Sequence, residues 1–198
     1  MWAQLTKACL RLEEIETQLS QPETYDDPDL AASLNKEQKD LLPLVEAYRQ
    51  HQKAQTDLDG LADLLDDMKE TLAKANGVGL AAPQVGILRR AVIVVNDQDE
   101  MLELVNPEIL AQEGEQEGLE GCLSLPGKWG YVKRPEWVKV KAQDRTGAWF
   151  EVEGTGLTAR CFCHELSHLD GHLYSELCDR LYTSDELDEI MEAQEIEE

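Results

Sequence analysis

Residues 161–174 read CFCHELSHLDGHLY. Two histidines stand four apart, with a glutamate directly after the first. On a helix, positions four apart lie on one face, one turn above each other. His164 and His168 can then aim both imidazoles at a single ion, with Glu165 beside it. Such a set suits metal-assisted hydrolysis: an ion lowers the pKa of a coordinated water to about 7, and a carboxylate takes and returns the proton. The competing reading is an ordinary helix with polar surface histidines. The spacing predicts a helix over residues 157–173.

Two imidazoles leave a ligand to be found. Cys163 adjoins His164 and points roughly 100° away around the helix, which removes it. Cys161 shares the ligand face but stands seven residues from His168, about 10 Å along the axis. Cys122, in EGLEGCLSLPG, sits after Gly121 in a segment suited to approaching a site from elsewhere in the fold. It is the better candidate, with Cys161 its rival. A thiolate with two imidazoles leaves a coordination position open, the catalytic pattern.

Working back from the helix, WFEVEGTG and GYVKRPEWVKVKAQD carry alternating strand pattern, and EGEQEGLEGCLSLPG reads as a turn region. LELVNPEIL and the buried run AVIVV (91–95) precede it, after a glycine-punctuated loop, GVGLAAPQVG. Strands followed by a helix, without regular βαβ alternation, predict an α+β domain: a mostly antiparallel sheet around a central metal-binding helix. Ahead of it, residues 1–62 form a helical hairpin of coiled-coil character. Leu5, Leu12, Ile15 and Leu19 mark one helix, QPETYDDPD the break, and Leu30 to Leu65 the return. Three segments result: the hairpin 1–62, a catalytic domain 63–183, and an acidic tail 184–198 in which Ser184 can cap a short helix.

The chain's 198 residues carry 18 Lys and Arg against 41 Asp and Glu, a formal net charge of −23. That balance argues against direct nucleic-acid binding through a basic surface. No apolar run approaches the roughly 20 residues of a membrane span. MWAQLTKACLRLEEIE lacks a charged-then-apolar signal layout, so a cytoplasmic protein is expected. Five cysteines with no such signal suggest metal ligation or plain burial rather than disulfides.

GVGLAAPQ (77–84), EGCLS (120–124) and HELSHLDG (164–171) resemble the three signature motifs of peptide deformylase, in that family's order and spacing. The resemblance covers residues 64–182. It implies hydrolysis of the N-formyl group from formylmethionine on nascent chains and other N-formylmethionyl peptides, releasing formate. It also implies the metal ligands Cys122, His164 and His168, with Glu165 as general base and later acid. Oxyanion donors would be the Gln84 side-chain amide and the Leu123 backbone N–H. Val78 and Gly79 would meet the extended peptide, and Arg160 (through its stem) and Cys161 would line the methionine pocket. The family's metal is typically Fe2+, with Zn2+, Ni2+ or Co2+ able to take its place.

Two departures stand out. The family reads His-Glu-Ile-Asp-His where this chain has Leu166 and Ser167, so a carboxylate beside the second ligand is lost; Ser167 is neither a ligand nor the base, and reduced activity at most is expected. At the front, the family's proline-leucine-arginine segment is not found. Residues 1–62, with Leu-Ser-x-Pro-Glu and VEAYR, instead resemble the helical N-terminal region of bacterial peptide chain release factors, which raises ribosome association. That leaves a sheet edge for the hairpin or a second copy to cover. Two other readings stay open: a zinc endopeptidase of the His-Glu-x-x-His type using His172, and a translation-associated binding module whose deformylase part is inactive.

Overall fold

The computed structural model describes residues 2–195, which divide into two compact units between Gly60 and Leu61. In the first, helix α1 (Trp2–Leu19) is followed by a 3-10 turn (Pro22–Asp26) and the first part of helix α2 (Pro28–Ala75). The break falls on QPETYDDPD because Pro28 is pre-set for a first helical turn and Asp27 caps it. The Asp27 carboxylate accepts from the backbone N–H groups of Asp29 and Leu30, both at 3.1 Å. Leu12, Ile15, Leu34 and Val45 are buried. The Arg11 guanidinium forks onto Glu37, each bond 2.8 Å.

The two runs Leu30–Tyr48 and Leu58–Leu65 belong to one helix of 48 residues, which continues through Pro43. It ends where Asn76 turns left-handed (φ 51°) and the Gly77 N–H reaches back to the Leu72 carbonyl. Its last turns, from Leu61 on, fall within the second unit, where Leu65, Met68 and Leu72 are buried against Leu80, Ala91, Ile93 and Val105.

The second unit holds two antiparallel sheets. The larger has strand order β1 (Gly79–Ala81), β2 (Ala91–Val95), β3 (Met101–Glu113), β6 (Trp137–Gln143), β7 (Trp149–Thr155). The smaller runs β4 (Gln116–Cys122), β5 (Leu125–Arg134), β8 (Tyr182–Thr183). AVIVV is apolar throughout because both its faces are covered. Ala91 and Ile93 meet the end of α2, while Val92 and Val94 pack toward helix α3 (Gly156–Leu169) with Val138, Val140, Ala159 and Phe162. A Cβ on Gly154 would fall 2.5 Å from Thr158, so α3 lies directly on β7.

Several expectations need correction. GYVKRPEWVKVKAQD is two strands in different sheets, parted at Pro135, and the turn region before it contains β4. GVGLAAPQVG supplies the three-residue strand β1. Helix α3 stops at Leu169, not 173, because Gly171 adopts φ 83°, donating to the His168 carbonyl while His172 donates to that of Ser167. At the acidic end, Ser184–Glu195 forms helix α4, and residues 196–198 lie outside the described residues.

Candidate metal and catalytic centre

Three elements converge on α3. Strand β4 ends in a tight connection to β5, with Cys122 opposite Leu125 after a register shift, and this brings the thiol to the helix. One ligand atom each from Cys122, His164 and His168 fall within 4.8 Å of one another. Cys122 Sγ stands 3.2 Å from His168 Nε2. The two imidazoles meet edge to face at 4.9 Å. Cys161 is elsewhere: its thiol donates to the Val78 carbonyl at 3.2 Å. His172, beyond the end of α3, pairs with Glu176 at 2.9 Å and is exposed, so the residue required by the endopeptidase reading stands apart from this group.

Glu120 orients the first histidine. His164 Nδ1 contacts Glu120 Oε2 at 2.9 Å, leaving Nε2 for the triad. The Arg134 guanidinium holds the same carboxylate at 3.0 and 3.1 Å, and Arg160 Nη1 adds a bond of 2.8 Å. Burial pushes the Glu120 carboxyl up, but hydrogen bonds from His164 and Arg134 outweigh it and hold the group at about 2. Burial lowers His164, yet bonds to Cys122 and Glu120 raise it to about 9. Burial likewise opposes ionisation of Cys122, and hydrogen bonds from His164 and His168 bring it down to about 5. A thiolate at Cys122 and a charged imidazole at His164 thus face each other beside His168, and a divalent cation is what such a donor set takes in place of the proton.

Glu165 is the counterpart. Burial outweighs the two imidazoles and pushes its carboxyl up to about 7. Among the buried side-chain oxygens and nitrogens of the described residues, its Oε2 is the one without a hydrogen-bond partner. A carboxylate buried against this preference implies a further polar group in the site. Gly79 makes its place: a Cβ there would lie 2.3 Å from Glu165 Oε1 and 2.7 Å from Cys161 Sγ.

Gln84 completes the rim. Its carbonyl oxygen accepts from the Ala81 N–H at 2.8 Å, which turns the amide nitrogen toward Ser124 (3.1 Å) and Cys122 Sγ (3.5 Å). A cavity of about 510 Å³ opens beside the group. Val78, Gly79, Leu123, Arg160 and Cys161 all line it, with Leu157 and Trp129. The Arg160 head is spent on Glu120 and the Val132 carbonyl. Ser167 Oγ donates to the Cys163 carbonyl at 2.7 Å, a bond back along the helix.

Glu120, Arg134, Leu157 and Tyr174 escaped the sequence reading. The signal for the first pair was the second glutamate of EGLEGC, two residues before the cysteine, and an arginine at the end of the next strand. Because Glu120 is buried between two arginines, Glu120→Ala is expected to destabilise the fold by about 3–5 kcal/mol, leaving two buried cations uncompensated. Urea unfolding at pH 7 measures it, and a loss under about 1 kcal/mol would contradict this account.

The polypeptide deformylase family model matches residues 43–183, starting about 20 residues before residue 64, where the resemblance in sequence begins. The peptide deformylase of Lachnoclostridium phytofermentans is 61% identical over 115 residues, covering 57% of this chain and 71% of that one. Peptide deformylase 1 of Bacillus subtilis is 51% identical over 128 residues, 64% of this chain and 80% of its own. Among solved structures, the peptide deformylase of Thermus thermophilus matches with TM-score 0.58 and 44% identity, over 60% of this chain and 72% of that one. A class I type b peptide deformylase from Acinetobacter baumannii with Met-Ala-Ser bound matches with TM-score 0.56 and 41% identity, over 59% of this chain and 80% of that one.

Proposed function

The chain belongs to the polypeptide deformylase family, a family of metal-dependent hydrolases that remove N-formyl groups, and from that we propose the part each residue plays in it. Cys122, His164 and His168 hold one divalent ion, Fe2+ in our reading, with Zn2+, Ni2+ or Co2+ compatible with the same donors. When bound, such an ion would supply Lewis-acid polarisation of a carbonyl and a lowered pKa for water. The peptide lies extended along Val78 and Gly79, its methionine side chain against Cys161 and the Arg160 stem. The Gln84 amide, held by Ala81, and the Leu123 N–H donate to the formyl oxygen as negative charge develops there. Glu165 takes a proton from the water as the water oxygen bonds to the formyl carbon, and gives it to the amine nitrogen as the C–N bond breaks. Formate and a free amino terminus leave.

The observation that carries this reading is the unpartnered Glu165 Oε2, buried beside a Cys-His-His triad. Elemental analysis paired with a formate-release assay on formyl-Met-Ala-Ser, on one preparation, tests it. Metal-loaded protein without formate release would end it.

Gly79→Ala probes the packing of the base. The added Cβ is expected to displace the Glu165 carboxylate and lower kcat about 10²-fold, as a misplacement of about 1 Å does. Overpacking of about 1–3 kcal/mol should lower Tm as well. Unchanged kcat would show that the carboxylate yields without consequence.

Residues 1–62, read as a release-factor-like hairpin, would direct the catalytic domain 63–183 to a ribosomal or factor protein in the cytoplasm, where formylated chains emerge. The net charge of −23 favours a protein surface over RNA for that contact.

A further inference from the structure

Tyr174 closes the stretch 161–174 and has no part in the steps above. It is 1% exposed, among the largest wholly buried side chains of the described residues. Its ring stacks on His164, with centroids 5.8 Å apart and planes at 24°. Its hydroxyl donates to the Lys128 carbonyl at 2.7 Å. Lys128 belongs to the run Leu125–Trp129, all five residues of which line the cavity.

The torsion that turns an imidazole about its Cβ–Cγ bond is broad and roughly two-fold. The Glu120 bond fixes where His164 Nδ1 points. It leaves tilting about the Nδ1–oxygen line open. A flat ring packed on the imidazole face closes that freedom, and burial on all sides keeps the ring itself in place.

Resting on the function given above, we propose that Tyr174 is a positioning residue with two separable duties. Its ring sets the plane of His164, and its hydroxyl ties the cavity wall 125–129 to that plane. Phenylalanine would keep the first duty and lose the second; leucine would lose both.

The test compares the full-length chain with Tyr174→Phe and Tyr174→Leu. Cobalt(II) is titrated into each metal-free protein and followed by its visible ligand-field bands, and KM is measured for formyl-Met-Ala-Ser. Tyr174→Phe should bind cobalt as the parent does, with unchanged bands, and raise KM about 3- to 10-fold, the scale of one hydrogen bond. Tyr174→Leu should weaken cobalt binding about 10-fold or more and shift the bands, as loss of support behind a ligand does. Unchanged KM in Tyr174→Phe would overturn the tie to the cavity wall. Bands and affinity unchanged in Tyr174→Leu, with only Tm lowered, would overturn the ring's duty and leave plain packing. Failure of the parent chain itself to release formate would sink the function instead, while the cobalt titration would still judge the ring.

Discussion

Glu165→Gln is expected to lower kcat for formate release by about 10²- to 10⁴-fold, the range a positioned proton-transfer group contributes. Metal content and KM should hold. Glutamine has nearly the same shape, so it fills the space that Gly79 leaves, and it ligates nothing in the triad. What it lacks is a site for the proton. The same exchange should raise the stability of the metal-free protein above neutral pH. Burial raises the folded-state pKa of Glu165 to about 7, above its ordinary 4.5. The unfolded chain therefore ionises first. Between 4.5 and 7 each step up in pH favours unfolding, and above 7 the full penalty is present. An amide carries none of it. Thermal melts at about pH 4 and pH 8 check the sign: the Tm advantage of the variant should appear at the higher pH and vanish at the lower. A variant that lost its metal, or that kept turnover, would show that the base lies elsewhere.

The elements legible in the sequence were those whose pattern answers to one local rule. AVIVV reads as a buried strand because two helices cover its two faces. The break at QPETYDDPD follows from proline and an Asp cap. Gln84, Cys122, His164, Glu165 and His168 stand in three short motifs, each dense in chemistry-bearing types. What resisted was set by partners distant in the chain. Strand β4 reads as a turn region because Gly118, Glu120 and Gly121 have little β propensity. It forms because Glu120 finds Arg134 and Arg160 inside. The end of α3 depended on Gly171 going left-handed, which a periodic apolar pattern does not register. The role of Gly79 also differs from what its motif suggests. The peptide's approach can use it, yet the tightest demand for a missing side chain comes from Glu165. Ser167, the odd residue of the helix motif, turned out to bond back to the Cys163 carbonyl. Its hydroxyl makes no contact with either histidine, and the cost of the missing carboxylate there is not explained by anything this side chain touches.

Cys122→Ala should have the largest effect on metal content. Two imidazoles one turn apart on α3 remain, and nothing else in the group brings a soft anionic donor to them. Loss of a hydrogen-bonding partner behind a ligand costs about 10–100-fold in affinity, and loss of the ligand itself should exceed that. The charge argument points the same way. The thiol ionises at about 5 because His164 and His168 hydrogen-bond to it, so at neutral pH it brings one negative charge to the ion. Alanine brings none, and the cation then faces two imidazoles with no anionic donor beside them. His172→Ala is the matched comparison, since it removes an imidazole only four residues past His168 but one paired with Glu176 at the surface. It should leave metal stoichiometry and formate release as in the parent chain. Elemental analysis after dialysis separates the two. Metal retained in Cys122→Ala and lost in His172→Ala would reverse the ligand assignment and bring back the endopeptidase chemistry that the geometry argues against.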